Sequence, residues 1–143
     1  MGKPIYIHYG SDKFEPEQFA PVTNFILNKP QGGFWASRTD SIFGWYDWCK
    51  SEEFCLERLI KSFKFTLSDN ANILYLRKHS DLDKLASAGC YDLLPSYDFP
   101  KMLEQGIDAI ELENPGEFMI ELMSWDCQSI FIMNPDIIER YVE

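Results

Sequence analysis

Three short clusters hold the side chains best suited to chemistry: His8-Tyr9-Gly10-Ser11, Gly32-Gly33-Phe34-Trp35-Ala36-Ser37-Arg38, and Trp125-Asp126-Cys127-Gln128-Ser129. An imidazole such as His8 can hold or release a proton near neutral pH, or sit satisfied and partly buried. Trp35, Trp45 and Trp48 offer flat π-faces for a ring to stack on, although buried tryptophans more often fill a core. Arg38 carries a fork of donors that suits phosphate oxygens, with a solvated surface charge as the alternative. Among the acids, Asp126 is one candidate carboxylate, set against a turn residue that caps its own backbone. Glu111 and Glu113, at the end of the apolar run 107–112, are its rivals unless they face solvent from an alternating strand.

Other chemistries find no support. Neither Gly-x-Gly-x-x-Gly nor Gly-x-x-x-x-Gly-Lys-Ser/Thr occurs, so any nucleotide is held without a Rossmann turn or a P-loop. Cys49, Cys55, Cys90 and Cys127 form no Cys-x-x-Cys pair, and His8 and His79 are not spaced with them as zinc ligands, so no metal site is expected. These cysteines read as reduced thiols that pack as small hydrophobes.

The elements that would position these clusters follow from periodicity. Residues 4–10 alternate as a strand that ends at Gly10. Three prolines between Glu15 and Gln31, with the short apolar segment Phe25-Ile26-Leu27, predict a loop-rich crossing, and Lys29-Pro30-Gln31-Gly32-Gly33 is turn chemistry. A second strand follows over Phe34–Ser37. Trp45, Trp48, Cys49, Leu56, Leu59 and Ile60 recur at helical spacing, as two short helices or one kinked helix with Ser51 as an internal N-cap. Phe63, Phe65 and Leu67 make a strand and Ile73–Leu76 another, joined as a hairpin or divided between sheets. Ser80 is read as the N-cap of a helix over 81–88 ended by Gly89, and Asp98 as that of a helix over 99–105 with Pro100 in its first turn. Ile107–Leu112 and Ser129–Met133 complete the strands, and Pro135 opens a last turn.

This order suits a single α+β domain over residues 1–143 better than a regular βαβ alternation. Its 45% hydrophobic and 15% aromatic residues suffice for a core without disulfides or metal. A formal charge of 13 − 23 = −10 repels phosphate backbones and anionic lipid. With no twenty-residue apolar stretch and no signal-like h-region, the expectation is a cytoplasmic protein without a membrane partner.

Taken together, the strand ending in His8-Tyr9-Gly10, the glycine-rich entry to a strand ending in Ser37, and the polar opening of a late strand at Asp126–Ser129 resemble the ADP-ribosyltransferase superfamily, as a divergent member. Gly106-Ile107-Asp108-Ala109-Ile110 and the run from Ile130 to Ile137 are similar to late elements of that fold. The resemblance implies a split, mostly antiparallel β core flanked by short helices and clasping NAD⁺ as substrate. It implies that His8, Tyr9, Gly10 and Ser11 hold nicotinamide and its ribose, either His8 or Tyr9 reaching the ribose, and that Ser37 ends the second strand at the site. Trp35, Trp45 or Trp48 would stack on the ring and Arg38 would meet the pyrophosphate.

Cleavage of the nicotinamide glycosidic bond passes through an oxocarbenium-like state that a carboxylate stabilises. The family places Glu at the opening of a late strand, where this chain has Gln128 and Ser129, which leaves Asp126 as the nearest acid. The expected catalytic set is thus Asp126, His8 and Ser37, with no metal and a macromolecular acceptor, protein before nucleic acid. The alternatives are a catalytically silent binding module of the same fold, or an acidic interaction protein such as a phage or mobile-element inhibitor.

Overall fold

Alternating Tyr6, Ile7, His8 and Tyr9 form β1 (Tyr6–Tyr9) in a computed structural model that describes residues 3–16, 19–25, 28–91, 94–118, 120–122 and 124–141. β2 (Ala20–Thr23) and β3 (Gln31–Arg38) follow, then α1 (Trp45–Glu52), β4 (Ser62–Leu67), β5 (Ile73–Leu76), β6 (Ser87–Tyr91), β7 (Leu94–Tyr97), α2 (Phe99–Glu104), β8 (Ala109–Leu112), β9 (Ser129–Ile132) and β10 (Ile138–Arg140). The main sheet runs β10-β4-β1-β3-β9-β8-β5, with β2 on β3. Its described pairs are antiparallel except β5 with β8. β6 and β7 form a separate hairpin. The chain is α+β and mostly antiparallel, and no described helix is long and apolar enough to cross a membrane.

Alternation divides the sheet's side chains between two cores. Leu74, Leu76, Ile110, Leu112 and Phe131 join Phe99, Met102 and Trp125 from α2 and the loops. Tyr6, Ala36, Phe65, Ile130 and Ile132 pack on the other face with Ile137. Each fully buried large apolar side chain contributes about 1.5–3 kcal/mol, so the sheet is held firmly from both sides.

Several local expectations change. The crossing predicted as loop contains β2, and β3 begins at Gln31 inside the stretch predicted as a turn. Gly33 (φ +59°) makes this possible: a Cβ there would lie 2.6 Å from the Phe131 ring, and the β2–β3 register shifts between Ala20 and Thr23, where Pro21 cannot donate to a ladder. Ile26 and Leu27 lie outside the described residues. Ser51 is inside α1 and does not cap a second helix. α1 ends at Glu53 in the left-handed region (φ 51°), and a separate 3₁₀ turn covers Leu56–Ile60.

β4 and β5 are neither a hairpin nor parts of different sheets, because β5 pairs with β8 at the far side of the same sheet. Ser80 starts no helix over 81–88: a 3₁₀ turn covers His79–Lys84, and the Asp81 carboxylate accepts the N–H groups of Arg77 (2.9 Å) and Lys78 (3.0 Å). From Ser87 the chain is committed to the β6–β7 hairpin. By contrast, Asp98 caps α2, its carboxylate accepting Lys101 N–H at 3.2 Å.

Candidate functional site

β1 and β3 pair only through Tyr6↔Arg38 and Ile7↔Ser37. Beyond that point His8 and Tyr9 stay paired with β4, while residues 34–36 of β3 pair with β9. The side chain of His8 takes the place of the missing backbone partner. Its Nδ1 lies 2.6 Å from the Trp35 carbonyl, and because a carbonyl only accepts, Nδ1 carries the proton. The ring also stacks on Phe34 at 4.1 Å. Burial lowers the His8 pKa, opposed by the Trp35 hydrogen bond and reinforced by the positive charge of Arg58. The imidazole is therefore neutral at pH 7, with Nε2 available as an acceptor.

A cavity of about 370 Å³ lies at this break, a volume suited to a small organic ligand. β1 contributes Ile7, His8 and Tyr9, and the segment after it Ser11, Phe14, Glu15 and Phe19. β3 contributes residues 33–36, with Lys29 just before it; Trp45 comes from α1 and Arg58 from the 3₁₀ turn that follows. Trp125, Asp126, Cys127 and Ser129 close the wall at the start of β9. Trp35 meets Trp125 edge to face at 4.9 Å, leaving aromatic surfaces at right angles around the space.

One buried side chain sets much of this wall. Asn28 adopts φ 58°, a left-handed conformation that Asn tolerates better than most residues. Its Nδ2 donates to the carbonyls of Pro95 (2.9 Å) and Glu121 (2.8 Å), and its Oδ1 accepts Tyr97 N–H (3.1 Å). The Asn28 carbonyl accepts Trp125 Nε1–H at 2.7 Å. Lys29 is thereby directed to the cavity, where its Nζ is 3.1 Å from the Ser124 carbonyl, 3.7 Å from Asp126 Oδ2 and 5.3 Å from the Trp35 ring centre.

Of the residues named from sequence, His8, Tyr9, Ser11, Trp35, Trp45 and Asp126 line the cavity, whereas Gly10, Ser37, Arg38 and Trp48 are not among its lining. Gly10 N–H donates to the Lys61 carbonyl at 2.9 Å and so is not free for a carboxamide. Ser37 is buried, its hydroxyl donating to the Gln128 carbonyl (2.8 Å) and accepting Trp45 N–H (3.0 Å). It ties α1 to β9 and has no proton to spare for catalysis in this geometry. Trp48 packs behind Trp45 at 5.3 Å.

Arg38 is bound by Glu111, with Nε 2.7 Å from Oε2 and Nη2 2.9 Å from Oε1. Glu111 also accepts Tyr6 O–H at 2.9 Å. It is only 3% exposed, so it is neither a solvent-facing edge residue nor a group at the cavity. Glu113 is taken by Arg77 at 2.6 Å. The Gln128 carboxamide is also occupied, accepting Phe43 N–H at 2.7 Å and donating to the Glu113 carbonyl at 3.0 Å.

Cys127 lines the cavity, but burial, with the Asp126 charge next in weight, pushes its pKa up to about 12, so it stays a thiol and a poor nucleophile. Among the described residues no group of three or more His, Cys, Asp and Glu is placed to hold a metal. Glu15, Phe14, Phe19, Lys29 and Arg58 were missed from the sequence. They come from a proline-rich stretch, a turn and a short helical turn, and only the tertiary fold brings them together. Against family models, curated proteins and solved structures, the chain matches none. Fold and site together define an α+β chain with an aromatic, mixed-charge ligand cavity at a break between neighbouring strands.

Proposed function

We propose that the protein binds NAD⁺ in this cavity and transfers its ADP-ribose to a macromolecular acceptor, releasing nicotinamide. The observation that carries the reading is the break between β1 and β3, where His8, with a free Nε2, stacks on Phe34 and lines one cavity with Trp35 and Asp126. A flat nicotinamide ring suits the aromatic walls, and Nε2 suits a ribose hydroxyl donor.

In the reaction the bond from ribose C1′ to the nicotinamide nitrogen breaks, nicotinamide keeps the bonding pair, and C1′ becomes cationic. The acceptor's nucleophile then bonds to C1′ and gives up its proton to water. Asp126 supplies negative charge to the cationic stage, with Glu15 as the second carboxylate on the cavity. The −10 charge favours a protein acceptor over nucleic acid.

A second reading, binding without turnover, draws on two observations. Gln128 stands at the opening of β9 with its carboxamide tied into the backbone, and Lys29 offsets part of the Asp126 charge. Nicotinamide release from NAD⁺ by the purified protein in cell lysate decides between them. Transfer predicts release that falls at least tenfold in Asp126→Ala and also falls in His8→Ala. Binding alone predicts an NAD⁺-dependent change in tryptophan fluorescence without release. Neither signal leaves an acidic interaction protein.

A further inference from the structure

The chain has four arginines, and three are accounted for away from the cavity. Arg38 is held by Glu111, Arg77 by Glu113, and Arg140 lies in β10 at the edge of the sheet. Arg58 alone among them lines the cavity, and no described carboxylate pairs with it. Arg58 is exposed at the rim of the cavity, so its guanidinium is open to a ligand. The other cation on the cavity, Lys29, already faces Asp126.

The end of β1 is shaped around this guanidinium. Gly10 has φ +115°, and a Cβ built there would lie 2.7 Å from Nη2, 3.0 Å from Nε and 3.2 Å from Cζ of Arg58. The missing side chain lets the guanidinium lie directly against the strand end, two residues beyond His8. From there Arg58 lines the same cavity as His8 and the aromatic walls.

We infer that the cavity is built for a phosphate-bearing ligand, with Arg58, resting on Gly10 at the rim, as the residue that binds the phosphate. The inference rests on the reading of the cavity as a nicotinamide nucleotide site and assigns the charged part of that ligand to a residue. A ring held among Phe34, Trp35 and Trp45, with its ribose at His8, leaves the 5′-phosphate to leave the cavity past the end of β1, toward Arg58. An Arg–phosphate contact is charge-assisted and commonly bidentate, and Lys does not reproduce that geometry.

The test is a fluorescence titration of the intact chain with nicotinamide mononucleotide, with nicotinamide riboside, which has the same ring and ribose but no phosphate, and with inorganic pyrophosphate. Wild type is expected to bind the mononucleotide at least tenfold more tightly than the riboside. Arg58→Gln should remove that difference and leave riboside affinity within twofold, and Arg58→Lys should restore only part of it. Equal affinity of wild type for mononucleotide and riboside would overturn the phosphate site and leave the nicotinamide reading standing. Loss of both ligands together in Arg58→Gln would also overturn it, by showing a structural role. Arg58-dependent binding of pyrophosphate with no binding of either nicotinamide compound would uphold the phosphate site and sink the nicotinamide reading. Binding of none of the three probes overturns both.

Discussion

The two ends of the short β1–β3 contact carry similar side chains in opposite states. At the paired end, Tyr6, Arg38 and Glu111 form a closed set in which the carboxylate accepts three hydrogen bonds within 2.9 Å and is 3% exposed. At the parted end, His8 keeps a free Nε2, Arg58 has no described ion-pair partner, and Asp126 meets its lysine only at 3.7 Å. Residue type alone therefore does not mark a site, because arginine, tyrosine and carboxylate occur at both ends. Unspent bonding capacity beside a cavity does.

The largest expected effect breaks the closed end. Glu111→Ala leaves the Arg38 guanidinium and the Tyr6 hydroxyl without their acceptor, and removing one member of a buried pair costs about 3–5 kcal/mol. Because Arg38 is 27% exposed and water reaches it, the expected loss is near the lower figure, about 3 kcal/mol by urea denaturation. Affinity for NAD⁺ among the molecules that remain folded should stay within twofold. A specific loss of ligand binding at unchanged stability would reverse the assignment of the two ends.

Asn28→Ala comes next, since it touches both scaffold and cavity. It deletes three side-chain hydrogen bonds and puts alanine at φ 58°, for a loss of about 2 kcal/mol by denaturation. Trp125 and Lys29 should also lose their fixed positions, visible as altered tryptophan fluorescence in the native state. Asp126→Ala is the converse case. A side chain 32% exposed, with one long ion pair, should cost under 1 kcal/mol of stability while lowering nicotinamide release at least tenfold. A large drop in stability with unchanged release would move Asp126 to the scaffold.

β4 was legible because only one of its faces is buried, so Phe63, Phe65 and Leu67 alternate with the exposed Ser62 and Lys64. The Asp98–Pro100 start of α2 was legible because capping is local chemistry. β2 was hidden because Pro21 argues against a strand and only a register shift accommodates it. The helix expected after Ser80 failed because Asp81 takes two backbone N–H groups for itself and the hairpin claims Ser87 onward. At the cavity, His8 and Trp35 stood in recognisable clusters. Nothing local distinguishes Arg58, in a 3₁₀ turn, from Arg38 at a strand end, because the difference is made by Glu111, 73 residues from Arg38.

The smallest expected effect is the acid response of His8, and its sign tests whether the ring is a buried neutral acceptor. Burial depresses its pKa in the folded protein below the ordinary value, despite the Trp35 hydrogen bond. As pH falls through about 6.5, the unfolded chain takes up a proton on His8 that the folded chain refuses. Unfolding then binds protons, so the stability that neutral His8 provides is fully present above pH 6.5 and is lost as pH falls toward the folded pKa, with a slope of at most about 1.4 kcal/mol per pH unit. Urea midpoints of wild type and His8→Asn at pH 7.5 and 5.5 isolate this contribution, since His79 is common to both and carboxylates titrate mainly below the window, at about pH 4. Wild type should lose more stability than the variant over that interval. Equal losses would mean that His8 is protonated as readily in the folded protein as in the unfolded chain, and a smaller loss in wild type would mean that the ring is held as a cation, donating from Nε2 instead of accepting there.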